Sequence, residues 1–170
     1  AAFALAATCV NAQRSLERKP LETFNTLVVK GAVDVYVNQT NESGISASAS
    51  DLTSLQYSVK NGTLEINGGS DGHIYVHTQG LSRIEVYGNS DVYSSDTLKG
   101  SSLAIVNSGA GDATLLLNYT DVDVNVTGSA DVKLSGTASN LKADVSGAGD
   151  LRAYKMPVLS ASVKLSGSGD

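Results

Sequence analysis

Asp131-Val-Lys-Leu-Ser-Gly-Thr-Ala-Ser-Asn-Leu-Lys-Ala-Asp-Val-Ser-Gly-Ala-Gly-Asp150 decides how this chain is read. Val132 and Leu134 alternate with Lys133. Leu141, Ala143 and Val145 alternate with Lys142 and Asp144. Each run has the period of two that sends alternate side chains to opposite faces of a strand. Residues 137–140 supply one polar corner, and Gly147-Ala-Gly149 supplies another.

The unit recurs. Gly-x-x-Asp begins at Gly31, Gly68, Gly88, Gly109, Gly128, Gly147 and Gly167, and ends at Asp34, Asp71, Asp91, Asp112, Asp131, Asp150 and Asp170. The steps between these aspartates are 37, 20, 21, 19, 19 and 20 residues. An aliphatic residue stands two positions before the glycine in six of the seven copies; Asn107 is the exception. A unit of this length cannot bury its own apolar face, so neighbouring units must stack. The pattern predicts an all-β fold, a single-stranded parallel β-helix of about 20 residues per turn, right-handed by the general bias of parallel crossovers. The long first step, 34–71, is expected to hold two irregular turns, with strands at 45–49 and 55–59. No stretch after residue 13 shows sustained helical periodicity.

Composition agrees with one folded domain. The chain has 170 residues, 41% of them hydrophobic and 17% charged, with a net charge of −5. That charge argues against a nucleic-acid partner, which would call for a basic face. Residues 1–12 form a short apolar run ending Val10-Asn11-Ala12, expected to be the remnant of a signal peptide cleaved after Ala12. Residues 13–22 read as a linker and 23–170 as the domain, which stops in mid-repeat. Cys9 is the single cysteine. Export as a soluble or surface protein is favoured over lipidation at Cys9, because Ala6-Ala7-Thr8 fits the sequence before an acylated cysteine poorly.

The ordered glycine–aspartate repeats, the leading Leu27-Val-Val-Lys-Gly31-Ala-Val-Asp-Val35 and the middle Gly62-Thr-Leu-Glu-Ile66 resemble the autotransporter-adhesin head GIN domain family, over roughly 23–170. That resemblance implies an exported protein of Bacteroidetes-type bacteria and a parallel β-helix. It implies no catalytic residue.

The aspartates would stand one layer apart, where like charges repel by roughly 1 kcal/mol in water. Backbone N–H groups of the glycine-rich turns are the expected compensation, with the glycines turning the corner. A file of bound Ca²⁺ is the alternative, weakened by one carboxylate per unit being too few ligands. No other cofactor is expected. His73 and His77 lie four apart on one strand, too far for one metal. No Ser-His-Asp set can be assembled from two histidines in one strand, and no glycine-rich loop leads into a helix. A polysaccharide-active enzyme on the same fold is the alternative function; it would need carboxylates grouped in a groove, whereas these gather at corners.

The outward position two after each aspartate reads Tyr36, His73, Tyr93, Thr114, Lys133 and Arg152, with Tyr75 and His77 beside it. Aromatic rungs can meet sugar rings or anchor a protein interface. Tyr and Thr also favour strands for their shape alone. The sequence therefore predicts a non-enzymatic envelope module, adhesin-like or a surface scaffold, with Tyr36, His73, Tyr75, Tyr93, Lys133 and Arg152 as its candidate face. A glycan or surface protein is the expected partner, and exposed edges could pair copies of the chain. Asp96-Thr97-Leu98 also resembles a short O-glycosylation motif of such bacteria, a match three residues long.

Overall fold

A computed structural model describes residues 14–49, 54–69 and 72–169. The leader reading of 1–12, including Cys9, and the positions of Asp71 and Asp170 lie outside the described residues. Among the described residues the secondary structure is entirely strand. The strands are β1 (Arg14–Pro20), β2 (Thr26–Gly31), β3 (Asp34–Gln39), β4 (Gly44–Ala49), β5 (Gln56–Lys60), β6 (Thr63–Gly68) and β7 (Gly72–Thr78). They continue as β8 (Arg83–Gly88), β9 (Asp91–Ser94), β10 (Leu98–Gly109), β11 (Ala113–Gly128), β12 (Val132–Gly147), β13 (Leu151–Lys155) and β14 (Ser160–Gly167).

All belong to one sheet, ordered β1-β4-β7-β3-β9-β11-β10-β8-β2-β6-β5, with β12 added to β11 and carrying β13 and β14. The sheet curls because β11 and β12 are long and serve both flanks. The start of β11 pairs with β9 and most of its length with β10. β12 likewise takes β13 near its start and β14 along its second half.

The all-β expectation holds, but the single-stranded parallel β-helix does not. The sheet is mixed and forms a curled half-barrel. β4 runs antiparallel to both β1 and β7, and β5 runs antiparallel to β6. The cause is local in one case. Asn61 and Gly62, between β5 and β6, both have positive φ, 50° and 73°. A two-residue turn of that kind matches the twist of antiparallel strands and folds them into a hairpin. The strands expected at 45–49 and 55–59 do form, as β4 and β5, but the chain reverses there instead of advancing. Arg14–Pro20, read in the sequence as linker, forms β1 at the edge of the sheet.

The 20-residue step survives as register in the parallel part. Gly109 pairs with Gly88 and Gly128, and Gly147 with Gly128 and Gly167. The apolar alternation lines the inside of the curl. Leu27, Val29, Leu64, Ile66, Ile84, Val86, Ile105, Val124 and Val126 are wholly buried. Phe24 and Tyr119 fill the core's larger gaps, and Tyr119 donates its hydroxyl to Leu81 O at 2.8 Å. Burial pushes the Tyr119 phenol up to about 12. Packing thins at β14, where Val163 and Leu165 remain half exposed.

Candidate functional site

The outward faces of β7, β3, β9, β11, β12 and β13 form one surface. Their register sets a row of side chains: Tyr75, Tyr36, Tyr93, Thr114, Lys133 and Arg152. Five members of this row stand where the sequence placed them. The sixth differs: Tyr75, not His73, pairs with Tyr36, and His73 pairs with Asp34 instead. Gly72 starts β7 one residue past the aspartate position, which shifts the strand by two relative to its neighbours. His77 stands one step along from Tyr75, opposite Asn38.

The three tyrosines form a closed stack. Ring centroids are 5.4 Å apart for Tyr36–Tyr75 and 5.2 Å for Tyr36–Tyr93, with interplanar angles of 25° and 21°. His73 meets the edge of Tyr36 at 5.5 Å. Each ring occupies its neighbour's face, so Tyr36 has no open face for a sugar. What the stack presents outward is ring edges and hydroxyls. Tyr75 stands at the end of the stack and is exposed.

The aspartates run alongside as a second column. For Asp91, Asp112 and Asp131 the donor is the backbone N–H of the next aspartate, one strand along, whereas the Asp91 N–H itself donates to Val33 O. Asp112 N–H donates to Asp91 Oδ1 (2.8 Å), Asp131 N–H to Asp112 Oδ1 (3.0 Å) and Asp150 N–H to Asp131 Oδ1 (3.2 Å). The second oxygens face the tyrosine–basic row. Tyr93 hydroxyl donates to Asp91 Oδ2 at 3.0 Å. Lys133 Nζ lies 3.9 Å from Asp112 Oδ2. Arg152 spans two rungs, 2.9 Å from Asp131 and 2.6 Å from Asp150. His73 Nδ1 lies 3.5 Å from Asp34 Oδ2. Fixed donors and alternating cations thus offset the like-charge repulsion of the column. Burial, followed by the bond to Asp91, raises the Tyr93 phenol to about 12, so it stays protonated and keeps donating.

The glycines make room for this column. Gly88, Gly128 and Gly147 take φ of 83°, 123° and 130°. A Cβ on Gly147 would also meet the backbone oxygen of Gly128 on the adjacent strand. Among the described residues no three His, Cys, Asp or Glu side chains group as a metal site.

A feature outside this surface went unread in the sequence. Residues Arg18, Pro20, Leu21, Thr23, Glu42, Ser43 and Gln79 enclose an open cleft of about 520 Å³ where β1 leaves the sheet. Spacing could not reveal it, because the residues come from β1 and from three separate connections.

No curated protein is significantly similar in sequence. Solved structures are. A "putative adhesin" from Bacteroides fragilis NCTC 9343 superposes with a TM-score of 0.75 at 20% identity, over 94% of this chain and 96% of that chain. A "putative adhesin" from Parabacteroides distasonis ATCC 8503 gives 0.65 at 18%, over 94% and 81%. A "putative lipid binding protein" from the same strain gives 0.65 at 14%, over 88% and 77%. At these identities the likeness is one of fold. The family described as "Putative auto-transporter adhesin, head GIN domain" matches residues 23–170 in sequence. With that match covering most of its length, the chain belongs to the auto-transporter adhesin head GIN domain family.

Proposed function

We propose that this domain is a non-enzymatic, adhesin-like module of the cell surface, and that the outward row Tyr75–Tyr36–Tyr93–Thr114–Lys133–Arg152 is its contact face. The observation that carries this reading is the row itself: six strands in register hold aromatic and basic side chains in one line. Tyrosine and arginine are the residue types that anchor interfaces, because they bring large contact area and directed hydrogen bonds, in tyrosine at low entropic cost. Parallel pairing and the carboxylate column restrain the row before any partner arrives, so little ordering cost is left for binding. The family's description as an adhesin supports the same reading. The partner is a glycan or a protein of another surface, met by ring edges, hydroxyls and the two basic side chains.

The test is binding of the folded domain to a glycan array and to a panel of matrix and bacterial-surface proteins. Replacing Tyr75 and Lys133 together by Ser should weaken the captured interaction by about tenfold or more, with the circular dichroism spectrum unchanged. Silence on both panels, or equal binding by the double variant, would remove the row as the contact face.

A further inference from the structure

β14 is a bare edge of the sheet. Among the described residues it pairs with β12 alone, and every residue from Ser160 to Gly167 is exposed. Across on β12, Ala143 and Val145 are each 2% exposed, whereas their register partners Val163 and Leu165 are 52% and 53% exposed. The core of the curl therefore reaches this edge uncovered. Leu159, just before β14, and Tyr154 on β13 are exposed as well. The opposite edges of the sheet are unlike it. β1 sets Glu17, Arg18, Lys19 and Pro20 in succession, and β5 is only five residues long and ends in Lys60. Charge, proline and shortness keep an edge from pairing with another chain. β14 has eight residues, no proline and one charge, Lys164, which Asp144 of the same chain meets at 3.5 Å.

The corner after β14 fixes which backbone groups face outward. Ser168 N–H donates to Gly147 O at 2.8 Å. In a parallel ladder the residues that bond to a given neighbour alternate, so Ser160, Ser162, Lys164 and Ser166 turn their N–H and C=O groups toward β12. Ala161, Val163 and Leu165 turn theirs to the free side. These three are also the residues in register with Leu141, Ala143 and Val145 on the core face. A second β14 laid antiparallel, with Val163 opposite Val163, sets Ala161 opposite Leu165 on both sides of the centre. All of these become hydrogen-bonded pairs, apolar meets apolar on the core face, and Lys164 stands opposite Ser162 on the outer face. No like charges oppose each other. The edge is thus complementary to itself about a two-fold axis, the commonest symmetry of a protein pair.

We infer that this edge binds a second copy of the chain, β14 against β14, antiparallel and centred on Val163. The two sheets become continuous, and the exposed halves of Val163 and Leu165 are covered. The contact is smaller than a standard interface of about 800 Å² per partner, so a dissociation constant on the order of 10–100 μM is expected. The pairing uses no residue of the tyrosine–basic row and does not depend on that row being a contact face.

Sedimentation of the full chain between about 5 and about 500 μM should show a monomer passing into a dimer. Val163→Lys sets a charge on the core face of both edges and should raise the dissociation constant about tenfold or more. Because Val163 is half exposed in the single chain, the circular dichroism spectrum of that variant should be unchanged. The register is read by disulfide trapping on a Cys9→Ser background. Val163→Cys should form a covalent dimer on air oxidation, since only at the axis does a residue face its own copy within disulfide reach. Ala161→Cys should not do so alone, but should when mixed with Leu165→Cys. A monomer throughout the concentration range would overturn the inference. So would a dimer that Val163→Lys leaves intact, or trapping of Ala161→Cys alone as fast as that of Val163→Cys.

Discussion

Asp131 donates its backbone N–H to Asp112 Oδ1 at 3.0 Å, across a strand boundary and nineteen residues of chain. The same atom pair recurs between Asp112 and Asp91 and between Asp150 and Asp131. A carboxylate column thus doubles as a hydrogen-bond ladder between neighbouring strands. Asp112→Ala would leave the Asp131 N–H unpaired in a half-buried position and release Lys133. The expected loss is about 1–2 kcal/mol in urea unfolding. Asp112→Asn keeps an acceptor oxygen and should lose less than half as much. Equal losses for both would show that charge, not the ladder bond, is what the position supplies.

The ladder depends on backbone that only glycine adopts easily. Gly147 combines φ of 130° with a neighbouring carbonyl where a Cβ would sit. Gly147→Ala should therefore cost at least about 2 kcal/mol, seen as a lower unfolding midpoint. A change within 0.5 kcal/mol (about the scatter of surface substitutions) would mean that the strand end relaxes without penalty.

Acid should act through His77. Burial first, and the Arg18 charge second, hold its pKa below the ordinary 6.5. The unfolded chain then binds the proton more readily than the folded one, so stability rises with pH through this window. Its share of stability is complete above about pH 6.5 and is lost as pH falls through the lowered folded value. His77→Gln should flatten the dependence of the urea midpoint between pH 7 and 5.5, relative to the parent. Parallel curves for the two proteins would exclude the histidine as the source.

Asn107 is the polar exception in the aliphatic column. It is wholly buried, donates from Nδ2 to Gly111 O at 2.8 Å, and leaves Oδ1 unpaired. Asn107→Asp would place a carboxylate beside that carbonyl with no counter-charge. A loss of at least about 3 kcal/mol at neutral pH is expected. Asn107→Val gives up one bond but also removes the unpaired oxygen, and should stay within about 1 kcal/mol of the parent. Thermal unfolding of both variants separates the two effects.

Much of this was legible in the chain itself. The alternation of Leu141, Ala143 and Val145 with Lys142 and Asp144 assigns strand faces correctly, because a one-residue slip would expose every apolar side chain. Tyr36, Tyr93, Thr114, Lys133 and Arg152 fall into line for the same reason. Asn61-Gly62 between two alternating runs also signalled a hairpin, and the 20-residue step obscured it.

What the sequence determined by itself is the local alphabet: strands, their inner faces, and a glycine–aspartate corner every twenty residues. Those follow from side-chain period and backbone freedom, which are properties of neighbouring residues. Tertiary structure decided the direction in which strands pair, and so a mixed half-barrel in place of a parallel helix. It decided that Tyr75 rather than His73 completes the stack, because register is set by where β7 begins. It also brought Arg18, Ser43 and Gln79 around one cleft. These contacts join distant parts of the chain, and only the closing of the sheet brings them together.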